Sequence, residues 1–185
     1  MPTESSTQPK LTYADYVQIP EDGMLHEIID GAHYMNPSPS PYHQTISRRI
    51  QFALYGHIEQ TGKGVVFDAP CDVQLSPHDI VQPDIVVVLS QHMHIITPTK
   101  IKGTPDLVIE ILSPSSEERD CHLKKQMYLK AGVHQYWIVD PFEHTVDQLV
   151  IENGEYKSRP PASVLELSVI SDVKVRLEEV WGAVF

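Results

Sequence analysis

Residues 103–141 read GTPDLVIEILSPSSEERDCHLKKQMYLKAGVHQYWIVDP. Two apolar runs, PDLVIEIL and QYWIVD, have the length and composition of buried strands, and the segment between them has helical periodicity. Glu110 sits inside the first run, where an ionised carboxylate is costly unless something pairs with it. Upstream, QPDIVVVL repeats the theme, with Asp84 opening a further apolar run. If these two strands pair, Asp84 and Glu110 converge at one end of a sheet. Hard divalent ions such as Mg²⁺ or Mn²⁺ prefer oxygen ligands, and one or two carboxylates with water suffice to hold them. Such an ion activates water and stabilises charge on a phosphoryl group.

Around this stretch the chain reads as an α/β domain with a mixed sheet. LTYADYVQI has helical spacing, with Thr12 as N-cap. MLHEIIDGAHYMN reads as a β-hairpin turning at Asp30-Gly31, and TVDQLVIENGEYKS as a second one turning at Asn153-Gly154. PSPSP is an extended connector, after which apolar spacing predicts a helix from Tyr42 to about Thr61, stopped by Gly62 and Gly64. GVVFDAPCDVQL alternates as one strand, and SQHMHIITPTKIKG is a loop or short helix. Ser116 caps a helix expected over 117–131, with Gly132 as its stop. The tail from Ser171 reads as a short helix.

Composition limits the choices. At 185 residues and 41% hydrophobic content, one domain over 11–185 is expected, behind a polar, disordered segment 1–10. No apolar run approaches the roughly 20 residues of a membrane span, and MPTESSTQPK lacks the features of a secretory signal, so the expected location is cytoplasmic. Cys71 and Cys121 are far apart and match no zinc spacing. A net charge of −11 argues against broad binding of nucleic-acid backbones, unless a metal site or a local positive patch offsets it.

Each candidate residue has a plain reading beside the functional one. Asp84 follows Pro83, which also begins many strands, and Asp106 is explained as the polar entrance of its strand. On the next helix Asp120, Lys124 and Tyr128 recur at i, i+4 and i+8 and share a face. Such an Asp-to-Lys pair is often a solvated interaction of a few tenths of a kcal/mol. Placed after the strand of Glu110, however, Lys124 can reach a scissile phosphate or its water, and Lys125 is the competing choice. Glu27, in LHEIID, either completes the metal site or projects to solvent. His43 opens the long helix, where it meets phosphate or serves in capping and packing. His78, His92, His94 and His122 lack a zinc spacing and read as surface residues.

Taken in order, HEIIDG, PSPSPYHQTI, QPDIVVV, PDLVIEILSPSS, the D-x3-K-x3-Y helix and AGVHQYWIVDP resemble the Uma-type "putative restriction endonuclease" family of the PD-(D/E)xK nuclease-like superfamily. The likeness spans roughly residues 11–180. It implies a restriction-endonuclease-like core, a mixed central sheet flanked by helices, with a divalent metal at one sheet end. Asp84 matches the superfamily's first acid, Glu110 its second, and Glu27 the acid of the N-terminal strand. Leu112 stands where the superfamily expects lysine, and Lys124 matches the family's lysine on the following helix.

The expectation is a Mg²⁺- or Mn²⁺-dependent DNA endonuclease. Asp84 and Glu110 hold the ion, Glu27 assists, Lys124 orients or deprotonates the attacking water, and Tyr128 supports the lysine. Cutting both strands of a duplex needs two sites, which suits a homodimer. Two rivals stand beside it: a non-catalytic binding or assembly protein on the same fold, and a phosphodiesterase acting on RNA or nucleotides.

Overall fold

A computed structural model describes residues 9–114 and 116–182 of the chain. The expected disordered segment 1–10 lies outside the described residues except for Pro9 and Lys10, as do Ser115 of the SPSS turn and residues 183–185 of the tail.

A single turn, α1 (Tyr13–Tyr16), starts at the expected cap, Thr12, which exchanges hydrogen bonds with Asp15. It leads to a hairpin, β1 (Leu25–Ile29) and β2 (Ala32–Asn36). Asp30 and Gly31 both take positive φ, 50° and 78°, the geometry of a tight two-residue turn that matches strand twist. Register follows directly from the turn, with Ile29 opposite Ala32 and Leu25 opposite Asn36.

The long helix α2 (Pro41–Ile58) begins where Ser40 accepts a hydrogen bond from the His43 amide and Pro41 takes the first turn. It ends three residues before the expected Thr61. Ile46, Ile50, Leu54 and Ile58 recur every fourth residue and are all fully buried, which gives the helix one apolar stripe.

GVVFDAPCDVQL is not one strand. It divides into β3 (Gly64–Asp68) and β4 (Val73–Ser76), which belong to different sheets. Pro70, in the gap, has no N–H to donate to a ladder. There follow β5 (Asp79–Val81), β6 (Ile85–Leu89), a 3₁₀ turn over Ser90–Ile95, β7 (Ile101–Lys102) and β8 (Leu107–Ile111). The segment expected as a regular helix is π-helical over Arg119–Lys124 and becomes α-helical only in α3 (Lys125–Ala131), closed by Gly132 at φ 81°. Next come β9 (Gln135–Asp140), β10 (Thr145–Glu152) and β11 (Glu155–Ser158), the last two forming the second expected hairpin. The tail differs from expectation: β12 (Val164–Leu167) pairs with β13 (Ile170–Arg176), and only then does a short α4 (Leu177–Trp181) form. Residues 172–176 alternate between exposed and buried positions, a strand's period rather than a helix's.

Two larger sheets result. The central one runs β11-β10-β9-β8-β6-β3, and of its pairs only β8 with β9 is parallel, so it is the mixed sheet expected. The N-terminal hairpin belongs to a second sheet, β2-β1-β5-β4-β7. Strand alternation assigns each face of the central sheet. Ile85, Val87, Leu107, Ile109 and Ile111 pack toward α2, β13 and α4. Val86, Val88, Val108 and Leu112 pack toward the second sheet and α3, through Ile29, Val81 and Tyr128. Glu110 shares the parity of Val108 and Leu112, so it faces the second sheet and α3.

Because Leu54 is fully buried in the cluster under α2, Leu54→Ala is expected to lower unfolding free energy by about 2–5 kcal/mol. Urea denaturation followed by circular dichroism measures it; a loss below about 1 kcal/mol would mean that the helix does not cover the sheet as described.

Candidate active site

In the antiparallel pair β6 and β8, Ile85 lies opposite Ile109, so the residues one step further, Asp84 and Glu110, come side by side. A hydrogen bond fixes the arrangement: the Ile111 amide donates to Asp84 Oδ2 at 2.7 Å. The two acids of the apolar runs therefore meet at one end of the central sheet.

The helix after β8 then brings three side chains to this point, two of them onto Glu110. Lys124 Nζ lies 2.9 Å from Glu110 Oε1, and the Tyr128 hydroxyl donates to the same oxygen at 2.7 Å. Asp120 Oδ1 stands 3.5 Å from Lys124 Nζ. The shared face of Asp120, Lys124 and Tyr128 thus turns toward the strand. Lys125 is only partly buried and does not line the cavity.

From the second sheet, Glu27 on β1 contributes a third carboxylate, with Oε1 2.9 Å from Lys124 Nζ. Protein donors engage both of its oxygens. Oε1 also accepts from the Gln82 amide at 3.0 Å and Oε2 from Asn36 Nδ2 at 3.0 Å, while Arg119 stands 3.8 Å away. Neither solvent nor an open cavity reaches it, for Glu27 is fully buried.

These charges share one buried place, and their protonation follows. Burial lifts Glu110 well above the usual carboxylate range; Lys124 pulls it down, but Asp120, Asp84 and Glu27 push it up. Asp120 is raised in the same way by burial, against Lys124 and a hydrogen bond from Ser116. Burial alone would lower the lysine, yet Glu110, Glu27 and Asp120 together hold it well above its ordinary value. Lys124 is therefore a persistent ammonium.

His43, at the first turn of α2, directs Nε2 at both the Ile111 carbonyl, at 3.0 Å, and Asp84 Oδ2, at 3.2 Å. Burial lowers its pKa, but the Asp84 carboxylate and the carbonyl outweigh that and leave it raised.

A cavity of about 300 Å³ opens onto this cluster, lined by His43, Gln82, Asp84, Glu110, Asp120 and Lys124 and closed by the proline- and serine-rich connectors. Glu27 and Tyr128 stand behind it. Among the described residues no group of three or more His, Cys, Asp or Glu side chains is arranged to hold a metal ion. The donor set nonetheless fits a hard ion held by one or two carboxylates and water. Asp84 and Glu110 face one cavity, Asp120 Oδ1 is buried without a hydrogen-bond partner among the described residues, and crowding among the acids favours a further positive charge.

Reading the sequence did not single out Gln82, Asn36 or Arg119, the partners of Glu27. Gln82 directly precedes the Pro-Asp pair and so travels with Asp84; Asn36 and Arg119 gave no signal. At the opposite end of β8, Asp106 is the structural acid expected, accepting from the Leu89 amide at 2.8 Å and pairing with His92 at 2.8 Å.

A crystal structure described as a putative nuclease belonging to DUF820, from Anabaena variabilis, shares the fold at 22% identity and a TM-score of 0.74. The match covers 92% of this chain and 97% of that one. The type IIG restriction endonuclease BpuSI overlaps more loosely, at 14% identity and a TM-score of 0.41 over 76% of this chain and 15% of its own, and supports no argument. No curated protein matches. The Uma2 family, described as "Putative restriction endonuclease", matches residues 13–178, and the chain belongs to that family.

Proposed function

We propose that the protein is a Mg²⁺- or Mn²⁺-dependent endonuclease that hydrolyses phosphodiester bonds in DNA. The observation that carries this reading is the buried Lys124 ammonium, 2.9 Å from Glu110 and facing the same cavity as Asp84. Family membership supports the reaction class and the choice of DNA. Asp84 and Glu110 would hold the ion. When bound, it supplies positive charge beside the phosphoryl oxygens and makes water more acidic.

The chain's own groups divide the remaining work. Lys124, held as a cation by three carboxylates, offsets charge that develops on the phosphoryl oxygens. It does not take the proton of the attacking water. That falls to Asp120, whose raised pKa and whose Oδ1, without a hydrogen bond among the described residues, suit a general base. The water oxygen bonds to phosphorus as the bond to the leaving alkoxide breaks, and the alkoxide is protonated from solvent. Glu27 and Tyr128 are positioning residues, since neither lines the cavity: Glu27 anchors Lys124 and Tyr128 orients Glu110. His43 orients Asp84. With both oxygens engaged by the protein, Glu27 serves the lysine rather than the ion. Leu112 leaves the strand without a lysine, but Lys124 reaches Glu110 from the helix, which favours the enzyme over a non-catalytic binding protein.

Plasmid nicking stimulated by Mn²⁺ or Mg²⁺ is expected to fall by about 100-fold or more in both Glu110→Ala and Lys124→Met. Thermal melts monitored by circular dichroism separate lost chemistry from lost folding; equal nicking by both folded variants would refute the assignment. Independently of turnover, millimolar Mn²⁺ is expected to raise the melting temperature of the wild type through binding to the folded state and to do so much less in Asp84→Asn. An identical shift in that variant would remove Asp84 from the ion's ligands.

A further inference from the structure

The cavity does not end at the site. A depression beside it shares His43, Asp84 and Ala69, takes in Asp68, and continues past Gln44 and Ser47 to Arg48. Arg48 also lines a broader groove of about 670 Å³ between α2, β13 and α4. The three concavities form one path over the outward face of α2.

Element periodicity explains why the groove is basic. On α2, Ile46, Ile50, Leu54 and Ile58 point inward, which leaves Arg48 and Phe52, four residues apart, on the outer side. On β13, Val173 and Val175 point inward, which leaves Lys174 and Arg176 on the solvent side. Four of the chain's 14 Lys and Arg residues line this groove, Arg48, Arg49, Lys174 and Arg176, against one lining acid, Glu179. In a chain of net charge −11 that is a local reversal of sign.

Arg49 is committed to structure, since it donates to the Val180 and Gly182 carbonyls at 2.9 and 2.6 Å. Among the described residues Lys174 and Arg176 hold only loose pairs, to Glu166 at 3.5 Å and to Glu178 at 4.0 Å, and these side chains are more than half exposed. Such pairs contribute little and yield easily to a phosphate. Arg48 is exposed and has no ion pair or hydrogen bond among the described residues. Phe52, which lines the same groove, is 78% exposed, a large apolar ring left in water beside these cations. Cations open to phosphates, beside an aromatic face open to a base, are the requirements of single-strand recognition; a duplex keeps its bases stacked and offers such a ring nothing.

We propose that this groove binds a single-stranded nucleic-acid segment continuous with the strand in the active site, with phosphates at Arg48, Lys174 and Arg176 and one base stacked on Phe52. It rests on the nuclease reading for its direction but not for its binding. The substrate is then a strand with an unpaired stretch beside the cleaved bond, such as a flap, a gap or a frayed end.

Fluorescence anisotropy tests it with wild-type protein in EDTA, where no cleavage occurs. The probes are a labelled 12-nucleotide single-stranded DNA, the same sequence as RNA, and the blunt DNA duplex. The expected order is tighter binding to either single strand than to the duplex, with a salt slope of about −2 for three phosphates. The DNA and RNA arms identify which strand is preferred. Phe52→Ala is expected to weaken single-strand binding about tenfold, and the R48E/R176E double variant to weaken it further and reduce the slope to roughly −0.7. Lys157→Glu, on the distant hairpin strand β11, serves as the control of unchanged affinity.

Equal or tighter binding to the duplex, or unchanged affinity in Phe52→Ala and R48E/R176E, overturns the proposal. So does sedimentation showing that Phe52→Ala dissociates a dimer, because the ring would then belong to a contact between two copies. Plasmid nicking by wild-type protein that fails to prefer single strands sinks the groove and spares the nuclease. Single-strand binding without any metal-stimulated cleavage does the reverse.

Discussion

Three carboxylates around one ammonium, all out of water, form the constraint on which the arrangement depends. Glu27, Glu110 and Asp120 each approach Lys124 within 3.5 Å, and all four residues are at most 4% exposed. Burying such a cluster costs several kcal/mol per ion before attraction is counted, so it survives only with close pairing and extra hydrogen bonds. Those bonds come from different parts of the chain: Gln82 and Asn36 on Glu27, Tyr128 on Glu110. The cluster thus ties the N-terminal hairpin, the central sheet and the π-helical segment to one point. Removing Lys124 would leave three buried acids without their cation.

The same cluster explains why part of the site was legible in the sequence and part was not. Glu110 was visible because VIEIL surrounds an acid with apolar residues, and such an acid must be paired. Asp84 was visible through its repeated Pro-Asp context, and Asp120, Lys124 and Tyr128 through helical spacing. Both hairpins followed from Asp-Gly and Asn-Gly, whose left-handed geometry is local chemistry. Glu27 was ambiguous, because strand alternation leaves two faces and only the second sheet decides which is buried. That sheet was hidden in turn: its strands are short, and Pro70 divides what alternation alone presents as one strand. The π-helical stretch had no signal, since its widened turn is set by what it packs against. The tail misled because VKVRLEEV carries both a strand's alternation and helix-forming residues, and pairing with β12 settled the choice.

Electrostatics divides the surface into two kinds of territory. The net acidity of the chain discourages indiscriminate binding to polyanions. In the cavity an ion would neutralise the carboxylates, and in the groove between α2 and β13 the lining cations outnumber the lining acid. On the proposed reading, a strand would reach the site through a narrow channel rather than by a broad basic face, which would limit the orientations in which it arrives.

The parallel pairing of β8 with β9 gives the lysine its place. Parallel neighbours require a crossover, and in this chain the crossover is the segment that carries Asp120, Lys124 and Tyr128. The connector at Ser113 and Ser116 therefore works as a length gauge. One residue more or fewer would rotate the helix by about 100° and offer Leu123 or Lys125 to the carboxylates in place of Lys124. Leu112, relieved of carrying the cation, packs as an ordinary core residue. A change of length in this one short loop would therefore displace the cation even with every side chain of the centre unchanged.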